Sequence, residues 1–377
     1  MRVMFHVQHL LGIGHLARAS RIAEALALSG AEITMVTGGM PVPGFLAPGI
    51  GHLPLTPMAA GQEGFADLVD GAGRPVDDAF RARRRDQLLD AFRALDPDVL
   101  LIEAFPFGRR QVRFEVLPLL EAARARPIPP LIVSSVRDIL QANRKPGRDE
   151  ETVAALAGFD AVLVHGDPAF SRIEESFPLA DRIAGKLRYT GLVAPPPPVP
   201  SAERHDVIVS AGGGAVGADL IRTAMAARAL LSSDLDWCVL TGPNLPQAEF
   251  DGFAAMASPR LSVQRFHSDL AGLMASARVS VSQAGYNTVG DVLRAGCEAV
   301  LVPFASGGET EQSLRAEKLA ARDLALILPE AGLTAPAMAA AIGTALGRTG
   351  RPRPALDLEG AAATARILRD MLRDRVR

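Results

Sequence analysis

The chain has 377 residues, with 40 Lys+Arg against 42 Asp+Glu and a formal net charge of -2. At about 100–200 residues per domain that length predicts two domains, each able to bury its own core, and a composition 48% hydrophobic and 22% charged excludes wholesale disorder. The near balance of charge argues against a dedicated nucleic-acid binder, and two cysteines, Cys238 and Cys297, exclude a disulfide framework and suit a reducing cytoplasm.

The opening, Met1 to Val7, reads as a first strand and lacks the basic, apolar and small-residue layout of a signal peptide. No apolar run reaches the roughly 20 residues that span a bilayer. Short apolar, β-branched runs then alternate with Ala/Leu/Arg segments of helical period. Strands are predicted over 2–8, 32–37, 99–103, 131–135, 161–164 and 187–190. The second half repeats the pattern over 206–211, 236–241, 261–266, 279–283, 299–303 and 324–328. Runs apolar nearly throughout suit parallel strands covered on both faces. Alternation with helices predicts an α/β chain of two Rossmann-like, doubly wound parallel sheets. Residues 40–80, rich in Pro and Gly and without clear period, read as a long, partly mobile loop region.

Between the two sets lie Pro195-Pro196-Pro197-Pro198, which can continue neither a helix nor a central strand and form a stiff spacer. The predicted division is therefore 1–194, a proline linker over 195–200, a second domain over 201–358 and a terminal helix over 359–377. Two such domains are expected to face each other across a cleft at the carboxyl ends of their strands, where open parallel sheets bind ligands. No sequence rule assigns the terminal helix to either domain.

The first strand runs into Gln8-His9-Leu10-Leu11-Gly12-Ile13-Gly14-His15, followed by a helix with Leu16, Ile22, Ala23 and Leu26 at helical spacing. Gly12 and Gly14 let the backbone turn sharply next to a helix N-terminus that offers free N–H groups to an anion. The third glycine of a dinucleotide fingerprint is missing, and Thr37-Gly38-Gly39 replaces the acidic end of the second strand, so NAD is disfavoured. His15 either caps the helix, binds phosphate, or as a neutral imidazole takes a proton from an attacking hydroxyl. His6 reads as structural, and His9 is open.

In the second half a strand enters Gly212-Gly213-Gly214-Ala215-Val216-Gly217 and then a helix. This is either a tight strand-to-helix turn or a set of backbone donors wrapped round a diphosphate. No Gly-Lys-Ser/Thr follows, which excludes a P-loop. Farther on come Ser282, Gly285, Thr288 and Asp291 around another strand-to-helix junction, then Pro303-Phe304, and Glu311-Gln312 opening a further helix. The carboxylate of Asp291 suits two sugar hydroxyls.

The stretch from Ser282 to Asp291, with Pro303-Phe304, Glu311-Gln312 and Ala316 to Leu319, resembles the donor-binding signature of family-28 glycosyltransferases. The two glycine loops match in order and place, so the resemblance spans the chain and is more specific in its second half. It implies the two-domain GT-B fold and transfer of a sugar from a nucleoside diphosphate, UDP-linked in that family's manner, with inversion and without a structural metal or other cofactor. It implies that Gly213, Gly214 and Ala215 approach the donor's phosphates, that Gly12 and Gly14 flank the same ligand, and that Ser282, Gly285 and Thr288 shape its wall. Asp291 would hold the ribose, where the peptidoglycan-precursor enzymes of the family carry Glu, and Glu311 and Gln312 would face the donor sugar. The Phe105-Pro106-Phe107-Gly108-Arg109-Arg110 block is similar to a bacterial group of predicted glycosyltransferases of unassigned acceptor. Two polar side chains of the family's second glycine loop are missing here, as is its acceptor-side glycine motif, which argues against the peptidoglycan lipid as acceptor. Gly12-Ile13-Gly14-His15 with Arg18 is also similar to nucleotide-sugar hydrolases of the same architecture, in which the loop histidine acts with water.

Glu103 ends a strand where a carboxylate can bond an acceptor hydroxyl or orient His15. Phe107, Arg109, Arg110, Arg137 and Asp138 are acceptor-side candidates by placement, and His165 and Asp167 occupy the equivalent position after the next strand. Arg81, Arg83, Arg84 and Arg85 form a basic run that is either one solvated helix face or, with Arg109 and Arg110, a contact for an anionic lipid surface. No His/Cys/Asp spacing resembles a metal-ligand set. The reading is a cytoplasmic glycosyltransferase, peripheral to the inner membrane face if its unknown acceptor is lipid-linked rather than a small molecule. A hydrolase of the same fold and a non-catalytic nucleotide-sugar binder are the alternatives.

Overall fold

The structure is a computed structural model; it describes all residues except 62–63, 143–144, 213–216, 243–244, 268, 306–307, 349, 351–353 and 377. The chain divides into two compact units, one formed by Met1–Val193 and Asp357–Arg377, the other by Ala194–Leu356.

The first unit contains β1 (Arg2–Val7), α1 (Gly14–Leu28), β2 (Glu32–Thr37), β3 (Gly51–Pro54), β4 (Met58–Gly61), β5 (Gly64–Asp70) and α2 (Asp78–Leu95). It continues with β6 (Val99–Glu103), α3 (Arg113–Arg124), β7 (Leu131–Arg137), α4 (Arg148–Leu156), β8 (Ala161–His165) and β9 (Leu187–Tyr189). Among the described residues, seven of these strands form one parallel sheet in the order β3-β2-β1-β6-β7-β8-β9. Every residue of β6 and β8 is buried, as expected of central strands with helices on both faces. The order reverses between β1 and β6, so the loops after these two strands diverge at a topological switch point.

The region read as a long loop, 40–80, instead holds β3, the antiparallel pair β4 and β5, and the start of α2. β3 is exposed along its whole length at the sheet edge and carries no apolar alternation to signal it. The basic run on α2 also differs from a uniformly solvated face. Arg81 and Arg85 do pair with Asp78 and Asp86 near the surface. Arg84, however, is fully buried and forks onto Glu115, with Nε 2.7 Å from Oε2 and Nη2 2.9 Å from Oε1. Its remaining donors reach Gln8 Oε1 at 2.5 Å and the carbonyls of Gly38 and Thr56 at 2.7 and 2.6 Å. An arginine projecting inward interrupts the run, so it presents no continuous cationic strip.

The second unit contains β10 (Val207–Ser210), α5 (Ala218–Arg228), β11 (Trp237–Leu240), α6 (Gln247–Ala254), β12 (Leu261–Gln264) and α7 (Leu270–Ser276). It continues with β13 (Val279–Ser282), α8 (Tyr286–Ala295), β14 (Glu298–Leu301), α9 (Glu311–Ala321), β15 (Leu326–Ile327) and α10 (Ala335–Gly347). Its described strands form a parallel sheet in the order β12-β11-β10-β13-β14-β15, with the reversal between β10 and β13. The terminal helix α11 (Gly360–Val376) returns to the first unit. It packs on α1, with Ala365 and Leu368 buried, and Arg369 donates to the Ser29 carbonyl at 2.8 Å. No helix among the described residues is long and apolar enough to cross a membrane.

Removing Arg84 strands a buried carboxylate, so Arg84→Ala should cost about 3–5 kcal/mol in urea unfolding. Arg85→Ala, on the same helix, should stay within about 0.5 kcal/mol. Equal small effects would restore the solvated-face reading.

Candidate functional site

In the first unit the polar residues gather at the carboxyl ends of β1, β6, β7 and β8. Parallel register explains why. Glu103 pairs with Ser135 across β6 and β7, and Arg137 pairs with His165 across β7 and β8. Side chains two apart on a strand share a face, so Ser135 and Arg137 stand on one side of β7 with Glu103 and His165 beside them. From the other side of the switch point, α1 begins at Gly14 and brings His15 and Arg18 to the same carboxylate.

Glu103 is the centre of this group. Its Oε1 lies 2.9 Å from His15 Nδ1 and also accepts from Arg18 Nη2, and its Oε2 accepts from Ser135 Oγ at 2.7 Å. Burial alone would raise this carboxyl, but the Arg18 charge and the bonds from His15 and Ser135 outweigh it and hold it at about 2. Glu103 is therefore ionised and acts only as an acceptor, which makes His15 Nδ1 the protonated nitrogen. His15 Nε2 makes no hydrogen bond to a described residue, and 18% of the side chain is exposed. Burial first, then the nearby Arg109 and Arg18 cations, lower His15 to about 3 against the pull of Glu103, so the ring is neutral.

Behind Ser135 lies His165, fully buried, with Nε2 2.9 Å from Ser135 Oγ and Nδ1 3.0 Å from Thr190 Oγ1. Burial, with Arg18 second, lowers it to about 3. Arg109 sits above the group on a turn that starts at Ala104. Both residues adopt left-handed φ, 65° and 57°, held by Gly108 N–H donating to the Ala104 carbonyl at 2.7 Å and Arg109 Nε donating to the Gln8 carbonyl at 2.8 Å. Burial, then Arg137, lowers Arg109 to about 10, still a cation at neutral pH.

The other first-domain candidates have more structural surroundings. Phe107 packs edge-on to Phe177 with ring centroids 5.1 Å apart. Arg110 reaches the Arg148 carbonyl and Thr152 Oγ1 on α4 at 2.7 and 3.0 Å. Asp138 is buried and accepts from the Ile139 N–H at 2.8 Å, and Arg137 closes β7 half-buried. Gly12 lies in an exposed loop flanked by Leu11 and Ile13, which are 60% and 43% exposed. His6 is buried, its Nε2 3.5 Å from Glu115 Oε1, and His9 Nε2 lies 2.9 Å from the Met40 carbonyl.

In the second unit, Gly213, Gly214 and Ala215 fall outside the described residues. Their flanks are defined. Gly212 has φ 72°, and a Cβ on Gly217 would lie 2.6 Å from Ala211 Cβ. Ser282 ends β13 next to β10, and its buried Oγ has no hydrogen-bond partner among the described residues. Gly285 precedes α8, which carries Thr288 and Asp291 one turn in, both partly buried. Gln312 Oε1 accepts from the Phe304 N–H at 3.2 Å. Glu311 is nearly fully buried with its carboxylate 2.6 Å from Arg315 Nη2, while Arg315 Nη1 donates to the Ala284 carbonyl at 3.0 Å.

Sequence reasoning assigned no role to Arg18, Ser135 or Thr190. Strand alignment alone would have paired Ser135 with Glu103; the ion pair from α1 needed the three-dimensional path of the helix.

Residues 208–349 match the glycosyltransferase family 28 C-terminal domain. The chain is 30% identical over 202 residues to the UDP-N-acetylglucosamine--N-acetylmuramyl-(pentapeptide) pyrophosphoryl-undecaprenol N-acetylglucosamine transferase of Xanthomonas oryzae pv. oryzae, covering 50% of this chain and 41% of that one. It is 33% identical over 116 residues to the protein of the same name from Methylorubrum extorquens, 31% of either chain. The chain thus spans less than half the length of these curated relatives. Among solved structures, the calicheamicin glycosyltransferase CalG4 superposes with a TM-score of 0.61 at 16% identity, covering 100% of this chain and 94% of that one. MurG of Acinetobacter baumannii gives 0.60 at 17% identity, with coverage of 99% and 100%. The fold is GT-B, and the second unit carries a family-28 domain.

The pKa directions make the first unit acid-sensitive. His15 and His165, at about 3 against an ordinary 6.5, and Glu103, at about 2 against 4.5, all bind fewer protons folded than unfolded. Stability is therefore full above about pH 6.5, falls toward pH 3 as the histidines are forced to charge, and falls further toward pH 2 as Glu103 protonates. Urea midpoints should decline from pH 7 to pH 4, less steeply in His15→Gln. An unchanged slope in that variant would contradict the neutral assignment.

Proposed function

We propose that the chain is an inverting glycosyltransferase that needs no metal, moving a sugar from a nucleoside-diphosphate donor, UDP-linked, to a hydroxyl acceptor. The observation that carries this reading is the His15–Glu103 pair: an ionised, buried carboxylate bonded to Nδ1, with Nε2 left open. That is the arrangement of a general base oriented by a third group. His15 Nε2 takes the acceptor's proton as its oxygen bonds to the anomeric carbon. The bond from that carbon to the diphosphate breaks, and its electron pair leaves on the diphosphate oxygen. Glu103 then faces an imidazolium and stabilises it.

The leaving charge would meet backbone N–H groups at the glycine turn before α5, including Gly213, Gly214 and Ala215, and at the N-terminus of α8. Ser282, Gly285 and Thr288 would form the adjoining wall, Asp291 would bond the ribose and Gln312 the sugar. Glu311, bonded to Arg315, would act by fixing the Ala284–Gly285 turn. The family-28 match over 208–349 and the UDP-N-acetylglucosamine in the relatives' names support this assignment. Gly12 and Gly14 would flank the donor, and Phe107, Arg109, Arg110, Arg137 and Asp138 would border the acceptor, lipid-linked or small, with peripheral contact to the inner membrane face in the first case.

A thermal-shift screen of UDP-, GDP-, TDP- and CMP-linked sugars should find a stabilising donor, since a ligand bound only by the native state raises the melting point. With that donor, His15→Ala should lower turnover by at least about a hundredfold, the scale of general-base catalysis, with donor affinity nearly unchanged. Asp291→Ala should weaken donor affinity in calorimetry. Unchanged turnover in His15→Ala would remove it from the chemistry, and free sugar release without any acceptor would favour a hydrolase. Because His15 is lowered from 6.5, the rate should not fall between pH 8 and about pH 6. An acid limb centred above pH 6.5 would count against His15 as the base.

A further inference from the structure

Behind the His15–Glu103 pair, three more side chains form an unbroken buried series. Ser135 Oγ lies 2.7 Å from Glu103 Oε2 and 2.9 Å from His165 Nε2, and His165 Nδ1 lies 3.0 Å from Thr190 Oγ1. Ser135, His165 and Thr190 are all almost fully buried, so water does not compete for these bonds. We infer that His165 is a positioning residue, which through Ser135 holds the Glu103 carboxylate so that His15 keeps its proton on Nδ1 and leaves Nε2 open to the acceptor. Its catalytic half rests on the transferase reading above; its structural half does not.

The proton count fixes the direction of the bonds around Ser135. Ser135 has one hydroxyl proton and two neighbours. The ionised carboxylate can only accept, so that proton goes to Glu103 Oε2. Ser135 must then accept from His165, which places a proton on His165 Nε2. With the ring neutral, His165 Nδ1 is a bare acceptor facing Thr190 Oγ1, whose one proton also lies within reach of the Gly191 carbonyl, 2.8 Å away. The opposite tautomer would turn the serine proton toward His165 and set a serine lone pair against a carboxylate oxygen at 2.7 Å. Among Glu103, Ser135 and His165, this arrangement leaves no acceptor facing an acceptor.

This series acts on His15 through geometry. Glu103 Oε1 is held by Arg18 from α1, and Oε2 by Ser135 from β7. Two restraints on different oxygens define the plane of the carboxylate, and that plane aims Oε1 at His15 Nδ1. Loss of the Ser135 restraint frees the carboxylate to turn toward Arg18 and loosens its hold on the imidazole proton. The charges around the pair come from Arg18 on α1, Arg109 on the turn after β6 and Arg137 at the end of β7. Arg18 is already engaged on Oε1 and Arg109 Nε on the Gln8 carbonyl. Sharing along the series also polarises the serine hydroxyl, which strengthens its bond to the carboxylate.

Long-range proton–nitrogen spectra of the full chain read the His15 tautomer directly and need no substrate. At pH 7 His15 should show a proton on Nδ1 and a bare Nε2. In Ser135→Ala and His165→Phe the ring should become a mixture of both tautomers. With a working donor, turnover should fall about ten- to a hundredfold in both, the range seen when partners that orient metal-bound histidines are removed, with KM for the donor unchanged. His165→Gln retains one donor and one acceptor and should restore most of the rate and the single tautomer. A pure Nδ1–H signal in Ser135→Ala would overturn the inference, as would equal losses in His165→Gln and His165→Phe. If His165→Phe does not fold, Ser135→Ala, which removes a single oxygen, decides alone. If no nucleotide sugar is ever turned over, the transferase reading falls while the spectra still judge the positioning role.

Discussion

A carboxylate buried at the end of a parallel strand is the constraint around which the first unit is arranged. An unpaired charge there would cost several kcal/mol, so Glu103 has to be met by donors from every direction. Arg18 supplies the charge, Ser135 and His15 the remaining bonds. Two come from the start of α1 and one from β7, so satisfying one side chain ties α1 to β6 and β7 at the point where the strand order reverses. The chemistry proposed for His15 is a consequence of that demand. A histidine recruited to satisfy an acceptor necessarily presents its other nitrogen away from it.

The same device recurs beneath the neighbouring loops. Arg84 reaches up from α2 to the carbonyls of Gly38 and Thr56 and to Gln8, with Glu115 neutralising it. Arg109 holds the Gln8 carbonyl from the other side. In the second unit Arg315, neutralised by Glu311, holds the Ala284 carbonyl just before α8. Loops at the carboxyl ends of these strands are thus fastened from below by guanidinium groups, whose planar fork can satisfy a carboxylate and a backbone carbonyl together. Apolar packing could match the stability of such pairs, but it offers no directional bond to a loop carbonyl.

This explains what was and was not legible in the sequence. The central strands announce themselves because burial on both faces leaves few polar residues, and β2 and β6 fall on their predicted spans, 32–37 and 99–103. β3 is invisible because an exposed four-residue edge strand needs no apolar pattern. Glu103 and His15 could be picked out as polar residues at strand and helix ends, yet their contact depends on a crossover that periodicity does not measure. Arg84 was read with its charged neighbours because four basic residues in five look alike in one dimension; a single residue's step, about 100° of rotation, separates the inward position from Arg83 and Arg85. Glu311 looked like a ligand for a similar reason, since its partner four residues on becomes apparent only when both are seen to be buried.

The glycine turns of the second unit show why a choice between packing and ligand binding is a false one. Gly217 is required because a side chain there would meet Ala211, 2.6 Å from its Cβ. At Gly242, after β11, a Cβ would lie 2.6 Å from the Gly212 carbonyl, so the turns after two adjacent strands are in close contact. Gly212 and Gly242 also share the left-handed backbone, at φ 72° and 78°. Steric necessity therefore accounts for these three glycines without any ligand. The same lack of a side chain at these positions also lets a ligand approach the main chain closely, the condition for meeting a phosphate with backbone donors. The packing reading explains why glycine stands at these positions, and the binding reading describes what a main chain without side chains there can do.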